Sequence, residues 1–225
     1  MPEWNSDREL LQLIRGELFT AVVGDVCDDI NLRGRFLPPH IKPLGGRIST
    51  VLAGRAMPVL EQDVDSEPTD GSQFGLMLQA LDSLQADEIY VSIGATKPYA
   101  LFGELMSIAA MKRGAAGVVC DGNVRDTEKI LELGFPVFCR GSYSLDQRGR
   151  GTVVDFRIPV QLGDLRISPG DFLIGDTDGV ISIPQEAAEE VFSLSLEKAR
   201  KENGVKAALE QGVSATQAFH CFGVF

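Results

Sequence analysis

The sequence predicts an α/β domain in which helices cover the outside of a mixed sheet. Helical spacing of apolar residues alternates with short apolar runs over residues 7–139. A series of short strands separated by turns follows over residues 152–183. A long helical pattern then begins at Pro184. With 225 residues, the chain can bury a sizeable core as one domain with appendages.

The first part of the chain supplies the helices and strands of the expected α/β layers. Ser6 and Thr20 are candidate N-caps of the first two helices. Helical patterns cover residues 7–20, 21–31, 74–84, 103–114 and 126–133. Apolar runs predict strands over residues 51–60, 88–93 and 136–139, and a further short strand that ends at Asp121. Residues 32–50 and the acidic residues 61–72 have the composition of loops.

The second part of the chain predicts short strands and then helix. Turn sequences at residues 168–171 and 176–179 separate the strands. The helix that begins at Pro184 extends to about residue 203, and a polar helical tail leads to an apolar segment at residues 222–225. We therefore expect an α/β domain over residues 1–185 and a helical extension over residues 186–225. The extension is poorly suited to folding alone, so we expect it to pack on the body or on a neighbouring subunit.

The charge balance excludes broad classes of partner. Lys and Arg number 21 against 32 Asp and Glu, which gives a formal net charge of −11. Nonspecific binding to nucleic acid or to an anionic membrane needs a basic face, so neither partner is expected. An anionic substrate must then be held by a local positive site.

The cysteine and histidine positions exclude several kinds of site. The four cysteines, at positions 27, 120, 139 and 221, form no Cys-x-x-Cys pair, and no secretory signal is visible, so disulfides are not expected. His40 and His220 are too few for a His-rich zinc site and leave little room for a Ser-His-Asp triad. No stretch approaches the roughly 20 apolar residues of a membrane span. These features predict a soluble cytoplasmic protein.

Residues 103–126 carry the strongest functional signal. Gly103 opens a helix, a short strand follows it, and Arg125 and Asp126 begin the next helix. Free amides at a helix start attract anions, and an arginine adds a two-pronged grip on a carboxylate. An aspartate is a hard oxygen ligand suited to a divalent metal. The segment predicts a site for a small, metal-chelating organic acid.

Each of these residues also has a simpler interpretation. Arg125 and Asp126 can be a surface ion pair, worth less than ~1 kcal/mol. Asp121 is either a metal ligand or a turn former, and Glu104 either reaches metal-bound waters or favours the positive end of its helix. The Asp-Thr-Asp-Gly run at residues 176–179 fails the EF-hand spacing, so a β-turn is favoured there.

The same segment resembles the signature of a known enzyme family. The matching residues are Gly103-Glu104-Leu105-Met106, Gly114-x-x-Gly117 and Asp121-Gly122-x-x-Arg125-Asp126. They resemble the 4-hydroxy-4-methyl-2-oxoglutarate/4-carboxy-4-hydroxy-2-oxoadipate aldolases, which share a superfamily with the regulator of ribonuclease E activity. The likeness covers roughly residues 15–185. It implies a layered β/β/α fold of the swivelling-domain, RraA-like type with a C-terminal helical extension.

The resemblance also implies a mechanism and an assembly. It implies a class II aldolase that releases pyruvate, with Asp126 holding Mg²⁺ or Mn²⁺ and Arg125 contacting the substrate oxygens. The substrate would rest on the segment Gly103-Glu104-Leu105-Met106, through the amides of Leu105 and Met106. An acidic residue from a neighbouring subunit's C-terminal helix, Glu202 or its rival Glu197, would assist the metal-bound waters. A homotrimer or homohexamer and an oxaloacetate decarboxylase side activity follow from the same likeness.

Other interpretations of the sequence remain open at this point. A Schiff-base mechanism would need a buried lysine, whereas Lys97 and Lys112 look exposed. Where family members often carry Asp-Gly after a strand, this chain has a different sequence at residues 91–98, which leaves the choice of 2-oxo acid open. The alternatives are a lyase for another 2-oxo acid and a non-catalytic regulator that docks on a ribonuclease, for which an acidic surface is suited.

Overall fold

A mixed sheet organises the fold. The structure is a computed structural model that describes residues 2–67 and 73–224. Its helices are α1 (Asp7–Glu17), α2 (Thr20–Asp29), α3 (Met77–Asp82), α4 (Glu104–Lys112), α5 (Thr127–Leu133), α6 (Ala188–Glu210) and α7 (Ala215–Phe222). Its strands are β1 (Lys42–Pro43), β2 (Leu52–Asp63), β3 (Glu88–Ile93), β4 (Ala100–Phe102), β5 (Gly117–Cys120), β6 (Asn123–Val124), β7 (Val137–Cys139), β8 (Gly141–Ser142), β9 (Gly151–Phe156), β10 (Val160–Leu162), β11 (Leu165–Ile167), β12 (Phe172–Asp176) and β13 (Gly179–Ile183).

The main sheet has eight strands and combines both directions, as predicted. Its order is β1-β7-β5-β3-β2-β12-β13, and β9 also pairs with β2. The four strands β2, β3, β5 and β7 are parallel, whereas β1, β9, β12 and β13 run antiparallel to their neighbours. A hairpin of β10 and β11 stands apart from this sheet.

The two faces of the sheet pack against different layers. Successive residues of a strand point to opposite faces, and Tyr90 and Val91 in β3 are both fully buried. Tyr90 packs in the cluster formed with α3, α4 and α5, whereas Val91 packs in the cluster formed with the β10–β11 hairpin. The layers are therefore hairpin, sheet and helices, which confirms the predicted β/β/α class.

A second, small sheet supports the site residues. Strands β4, β6 and β8 form a parallel sheet of three strands, each two or three residues long. Leu101, Phe102 and Val124 from this sheet are buried in the same cluster as α3, α4 and α5. Strands of two or three residues are too short to show the alternation of apolar and polar residues that predicts a strand, and none of the three was predicted.

The C-terminal helices lie on the body of the same chain. In α6, Val191, Phe192 and Leu196 are buried in a cluster that also contains residues of α1 and α2. The rings of Phe172 and Phe192 meet edge to face with centroids 5.2 Å apart. Helix α7 packs back on α6, and the predicted apolar end at Phe225 lies outside the described residues. Within residues 2–67 and 73–224, no helix has the length and apolar character needed to cross a bilayer.

Several predicted boundaries were wrong. The strand predicted over residues 51–60 continues to Asp63 because β9 pairs with its last residues, so the expected acidic loop begins later and its residues 68–72 lie outside the description. The region predicted as loop over residues 32–50 contains β1, which pairs with β7. The helix predicted over residues 74–84 is confined to Met77–Asp82. Helix α6 runs on to Glu210, beyond the predicted end near residue 203.

The boundary between the first two helices also differs from the prediction. Helix α1 ends at Glu17, and Thr20 is the first residue of α2 rather than its cap. Phe19 holds the N-cap position and offers no side-chain hydrogen bond. Asp176 takes over this role, since its carboxylate accepts hydrogen bonds from the amide and the hydroxyl of Thr20 at 2.7 and 2.8 Å. The turn at residues 176–179 therefore joins β12 to β13 and also holds α2, in agreement with the favoured β-turn.

Candidate active site

Arg125 and Asp126 lie at the start of α4 because two short parallel strands end side by side. Strands β4 and β6 pair with Phe102 opposite Val124. The Arg125 amide then donates to the Phe102 carbonyl at 3.0 Å. Gly103 directly follows β4 and Arg125 directly follows β6, so the two chain segments leave the small sheet together. The carboxyl ends of neighbouring parallel strands are a common place for ligand sites in α/β proteins.

The Asp126 carboxylate sits against the backbone of Gly103. Asp126 has the left-handed backbone conformation, with φ 59° and ψ 35°, which aspartate tolerates better than most residues. A Cβ atom added to Gly103 would lie 2.8 Å from Asp126 Oδ2. The Glu104 amide donates to the same oxygen at 3.3 Å. Glycine at position 103 therefore permits the carboxylate to reach the first turn of α4.

In the first turn of α4, two backbone amides have no hydrogen-bond acceptor among the described residues. The Glu104 amide is directed to Asp126, and the Ser107 amide makes the first bond of the helix, to the Gly103 carbonyl at 3.0 Å. The amides of Leu105 and Met106 have no acceptor among the described residues. Unpaired amides at a helix start carry partial positive charge and favour an anion.

Arg125 is held by a carboxylate that sequence analysis missed. Its Nη1 donates to Asp146 Oδ2 at 2.9 Å, and its Nε lies 3.8 Å from Asp126 Oδ2. Asp146 Oδ1 also accepts from the Arg148 amide at 3.0 Å. Partial burial opposes ionisation, but these hydrogen bonds outweigh it and hold the pKa of Asp146 below its usual value. Asp146 follows the two-residue strand β8, so its position near Arg125 left no signal in the sequence.

These groups open onto a cleft of about 290 Å³. One side of the cleft is polar and contains Arg125, Asp126, Asp146 and Gln147. The other side is apolar, and it too was not foreseen from the sequence. The apolar lining consists of Phe74, Met77, Leu78, Leu81, Ala100, Leu101, Phe102, Gly103, Leu105, Met106 and Ala109. The structure thus brings Gly103, Leu105, Met106, Arg125 and Asp126 together around one cleft.

Asp121 is engaged in a different set of contacts. Arg140 donates to both of its carboxylate oxygens, at 2.8 and 2.9 Å, and His40 Nε2 lies 3.2 Å from Oδ1. Burial opposes the charge of Asp121, yet the Arg140 and His40 contacts prevail and lower its pKa. Since Arg140 donates to both oxygens, the contacts of Asp121 favour its structural alternative over metal ligation.

The predicted acidic partners of the metal lie elsewhere in this chain. Glu104 contributes its backbone amide, and its side chain does not line the cleft. Glu202 lies on α6, where burial raises the pKa of its carboxyl group, and it does not line the cleft of its own chain. Its rival Glu197 pairs with Lys201 at 2.7 Å. A role for Glu202 therefore remains a prediction about a second copy of the chain.

The lysines do not offer a Schiff-base site. Among the described residues, no lysine lines the cleft. Lys97 pairs with Asp65 at 2.7 Å, and this hydrogen bond raises the pKa of its amine, whereas a Schiff-base lysine needs a lowered pKa. Lys112 is exposed at the end of α4.

The donor set suits an open divalent-cation site. Within the described part of the chain, no three His, Cys, Asp or Glu side chains cluster as a closed metal centre would require. Asp126 Oδ1 accepts no hydrogen bond from the described residues, and the side chain is 43 % exposed. Mg²⁺ is commonly held by one or two carboxylates, with waters and substrate oxygens completing its octahedron. Asp126 fits such a site as its single ligand from this chain.

Comparison with known proteins places the chain in a family. The sequence profile described as RraA-like, Aldolase/RraA, matches residues 20–182. This stretch includes the main sheet except the last residue of β13, the small sheet and every residue of the polar side of the cleft. The protein belongs to the RraA-like family.

Individual relatives are distant but cover most of the chain. A protein of Halalkalibacterium halodurans, provisionally named a 4-hydroxy-4-methyl-2-oxoglutarate aldolase, is 26% identical over 200 residues, which cover 89% of each chain. The 4-hydroxy-4-methyl-2-oxoglutarate aldolase of Thermus thermophilus is 28% identical over 160 residues, covering 70% of this chain and 89% of its own. The crystal structure of Streptomyces coelicolor RraAS2, of the RNase ES inhibitor RraA family, superposes with a TM-score of 0.76 at 21% identity. It covers 91% of this chain and 99% of that one, and it supports the fold alone.

Proposed function

We propose that the protein is a divalent-metal-dependent, class II aldolase that cleaves a 4-hydroxy-2-oxo acid to pyruvate and a second oxo compound. The observation that carries the proposal is the convergence of the Arg125 guanidinium, the Asp126 carboxylate and the unpaired amides of α4 on one cleft. The aldolase names of the two bacterial relatives support the same chemistry.

The reaction develops negative charge on an oxygen of the substrate that these residues can contact and stabilise. When the C3–C4 bond of the substrate breaks, the C4 hydroxyl loses its proton and becomes a carbonyl. The bonding electrons pass to the C2 oxygen as an enolate, and a proton added to C3 then gives pyruvate. Arg125 stabilises the enolate oxygen, and the Leu105 and Met106 amides orient the substrate carboxylate.

The reaction also needs a Lewis acid and a group that assists proton transfer, and we propose a candidate for each. A bound Mg²⁺ or Mn²⁺ would supply Lewis-acid stabilisation of the same oxygens. Asp126 is the residue proposed to hold this ion. Glu202 from a second copy of the chain is proposed as the group that would assist proton transfer in this site. Oxaloacetate decarboxylation is an expected side activity because loss of CO₂ from oxaloacetate leaves the same enolate.

The proposal is tested with oxaloacetate and Mg²⁺, following pyruvate with lactate dehydrogenase. The rate in Mg²⁺ without protein is subtracted, since the cation alone decarboxylates oxaloacetate. We expect EDTA-sensitive pyruvate release that falls about 100-fold in Asp126→Asn, because the variant keeps the side-chain shape and loses the charge. Asp164→Asn, on the exposed turn between β10 and β11, is the matched control. An absence of EDTA-sensitive release, or an unchanged rate in Asp126→Asn, would contradict the proposal.

A regulatory function is the second candidate. The family description joins aldolases with RraA proteins, and the net charge of −11 would favour contact with a basic, RNA-binding partner. A pull-down with a purified ribonuclease, run beside the oxaloacetate assay, separates the two functions. Capture of the ribonuclease without pyruvate release would support the regulator and contradict the aldolase.

A further inference from the structure

The cleft has a charged end and a hydrocarbon end. At the charged end, Arg125 and Asp126 stand beside the start of α4. Apart from Asp146 and Gln147, the other residues that line the cleft are apolar, and α3 and α4 supply six of them. Met77 and Leu81 form its floor, at 8% and 5% exposure, and Leu78 and Leu105 stand at its mouth, at 57% and 79%. A substrate whose oxo-acid end is held at Arg125 must therefore place its far end against hydrocarbon.

The charges that line the cleft leave room for one substrate carboxylate. Among its described lining residues, Arg125 is the cation, and Asp126 and Asp146 are the anions, so their formal sum is +1 − 2 = −1. A divalent cation at Asp126 would change this one-chain sum to +1, or to 0 once the proposed Glu202 carboxylate of a second copy is counted, so the site neutralises at most one substrate carboxylate. A second carboxylate would lie against the apolar wall without a cationic partner, and the partial loss of its hydration there is unfavourable.

We infer that the substrate is a 4-hydroxy-2-oxo monocarboxylic acid with an apolar group at C4, in place of the second carboxylate of 4-hydroxy-4-methyl-2-oxoglutarate. The inference rests on the proposed function and names its substrate class. Its reaction is the cleavage written above, and the C4 fragment leaves as an aldehyde or ketone that carries the apolar group. A volume of about 290 Å³ suits a substrate of this small size.

Binding of two matched, non-cleavable acids tests the inference directly. 2-Oxohexanoate and 2-oxoadipate have the same chain length and differ in a terminal methyl against a terminal carboxylate. In calorimetry with Mg²⁺ present, we expect 2-oxohexanoate to bind at least about tenfold more tightly, because its tail leaves no charge unpaired. Tighter binding of 2-oxoadipate would overturn the inference.

Turnover separates this inference from the proposed function. With 4-hydroxy-2-oxohexanoate and 4-hydroxy-2-oxoadipate, we expect kcat/KM at least about tenfold higher for the first. Metal-dependent exchange of the pyruvate methyl protons, followed by NMR in D₂O, reports enolate formation without any distal group. Exchange together with preferred cleavage of the dicarboxylate overturns the inference and leaves the proposed function standing. Absence of exchange and of both cleavages removes the proposed function, and the inference with it.

A charge placed on the apolar wall supplies the last test. Leu78→Arg adds a cation at the mouth of the cleft, so we expect the preference for 2-oxohexanoate over 2-oxoadipate to fall by about tenfold. Leu131→Arg is the control, because Leu131 is a similarly exposed leucine on the short helix α5 and does not line this cleft. An unchanged preference in Leu78→Arg, or an equal change in Leu131→Arg, would overturn the inference.

Discussion

Because Gly103 has no Cβ atom, the Asp126 carboxylate can lie close to the start of α4. Gly103 has φ −156° and ψ −172°, an extended conformation that alanine adopts without strain. The conflict in a Gly103→Ala variant is therefore steric, with the new Cβ 2.8 Å from Asp126 Oδ2 and 3.3 Å from Arg125 Cγ. The requirement for glycine at this position comes from contact between two chain segments.

We predict that Gly103→Ala lowers pyruvate release about 100-fold, because displacement of a reacting group by about 1 Å has effects of that size. Gly16→Ala is the matched control, since no atom beyond its chain neighbours and the backbone of its own helix lies within 4 Å of a Cβ there. Gly16 lies within α1, so alanine should stabilise the fold by about 0.5–1 kcal/mol and leave the rate unchanged. Steady-state assays and urea unfolding of both variants check this, and a normal rate in Gly103→Ala would contradict it.

The buried Glu61 makes the stability of the protein depend on pH. Glu61 is 2% exposed and accepts hydrogen bonds from Ser92 Oγ at 3.0 Å and from Gln147 Nε2 at 2.9 Å. Burial raises its pKa from 4.5 to about 7, although the two hydrogen bonds partly oppose the change. Gln147 lines the cleft, so the ionisation of Glu61 takes place directly behind the site.

The sign of the effect follows from proton binding. Between about pH 4.5 and pH 7 the folded protein keeps the Glu61 proton and the unfolded chain releases it, so unfolding becomes easier as the pH rises. Between pH 5 and pH 8 we expect the ionisation of Glu61 to lower the free energy of unfolding of the wild type by up to about 3 kcal/mol. We predict that Glu61→Gln, which cannot ionise, does not show this decrease. Urea unfolding across that range measures it, with Glu132→Gln on the exposed face of α5 as the control. Parallel pH curves for wild type and Glu61→Gln would show the expectation to be wrong.

At the scale of elements, the start of α2 depends on the end of β12. Asp176 accepts two hydrogen bonds from Thr20 across 156 positions of sequence. Thr20 is 1% exposed, so its amide and hydroxyl would otherwise be buried without partners. The short turn after β12 therefore fixes how α2 is placed on the sheet.

We predict that Asp176→Ala destabilises the protein by about 2 kcal/mol, because two hydrogen bonds to a charged group are lost at a helix start. Asp28→Ala, on the exposed face of the same helix, should change the free energy of unfolding by less than about 0.5 kcal/mol. Chemical denaturation of both variants provides the measurement. Equal effects of the two substitutions would argue against a capping role for Asp176.

At the scale of the whole molecule, the proposed site calls for a second copy of the chain. Asp126 is the one carboxylate that we assign to the metal from this chain, and Glu202 is proposed to arrive from a neighbour. Apolar side chains also remain exposed around α6 and α7, with Leu194 at 39%, Phe219 at 51% and Phe222 at 37%. Clusters of exposed apolar residues commonly mark subunit interfaces.

We predict that the 24.3 kDa chain forms a homotrimer or homohexamer in solution, because that assembly would cover Phe219 and its neighbours. Phe219→Glu should shift the assembly toward monomer, since it introduces a charge that the interface would bury. Leu131→Glu, at a similarly exposed apolar position on α5, is the control. Light scattering with chromatography measures the mass, and a stable wild-type monomer would contradict the prediction.

The sequence alone determined the elements that are long enough to repeat a pattern. The parallel strands β2 and β3, the helix that begins after Gly103, and the long helix α6 were all visible because apolar residues recur over a whole element. The segment from Gly103 to Asp126 also identified Arg125 and Asp126 as candidate site residues, since the glycine, arginine and aspartate of the pattern lie close together in sequence. Asp126 and Gly103 could therefore be predicted as one site before their contact was known.

Only the tertiary structure decided which distant residues complete that site. Asp146 meets Arg125 through three strands of two or three residues each, and Asp176 reaches Thr20 across the sheet. Phe74, Met77, Leu78 and Leu81 form the apolar wall because α3 packs beside α4. Local sequence records periodicity and backbone preference, whereas contacts between distant segments depend on how the layers pack. The chemical group that we infer at the far end of the substrate depends on these contacts between distant segments.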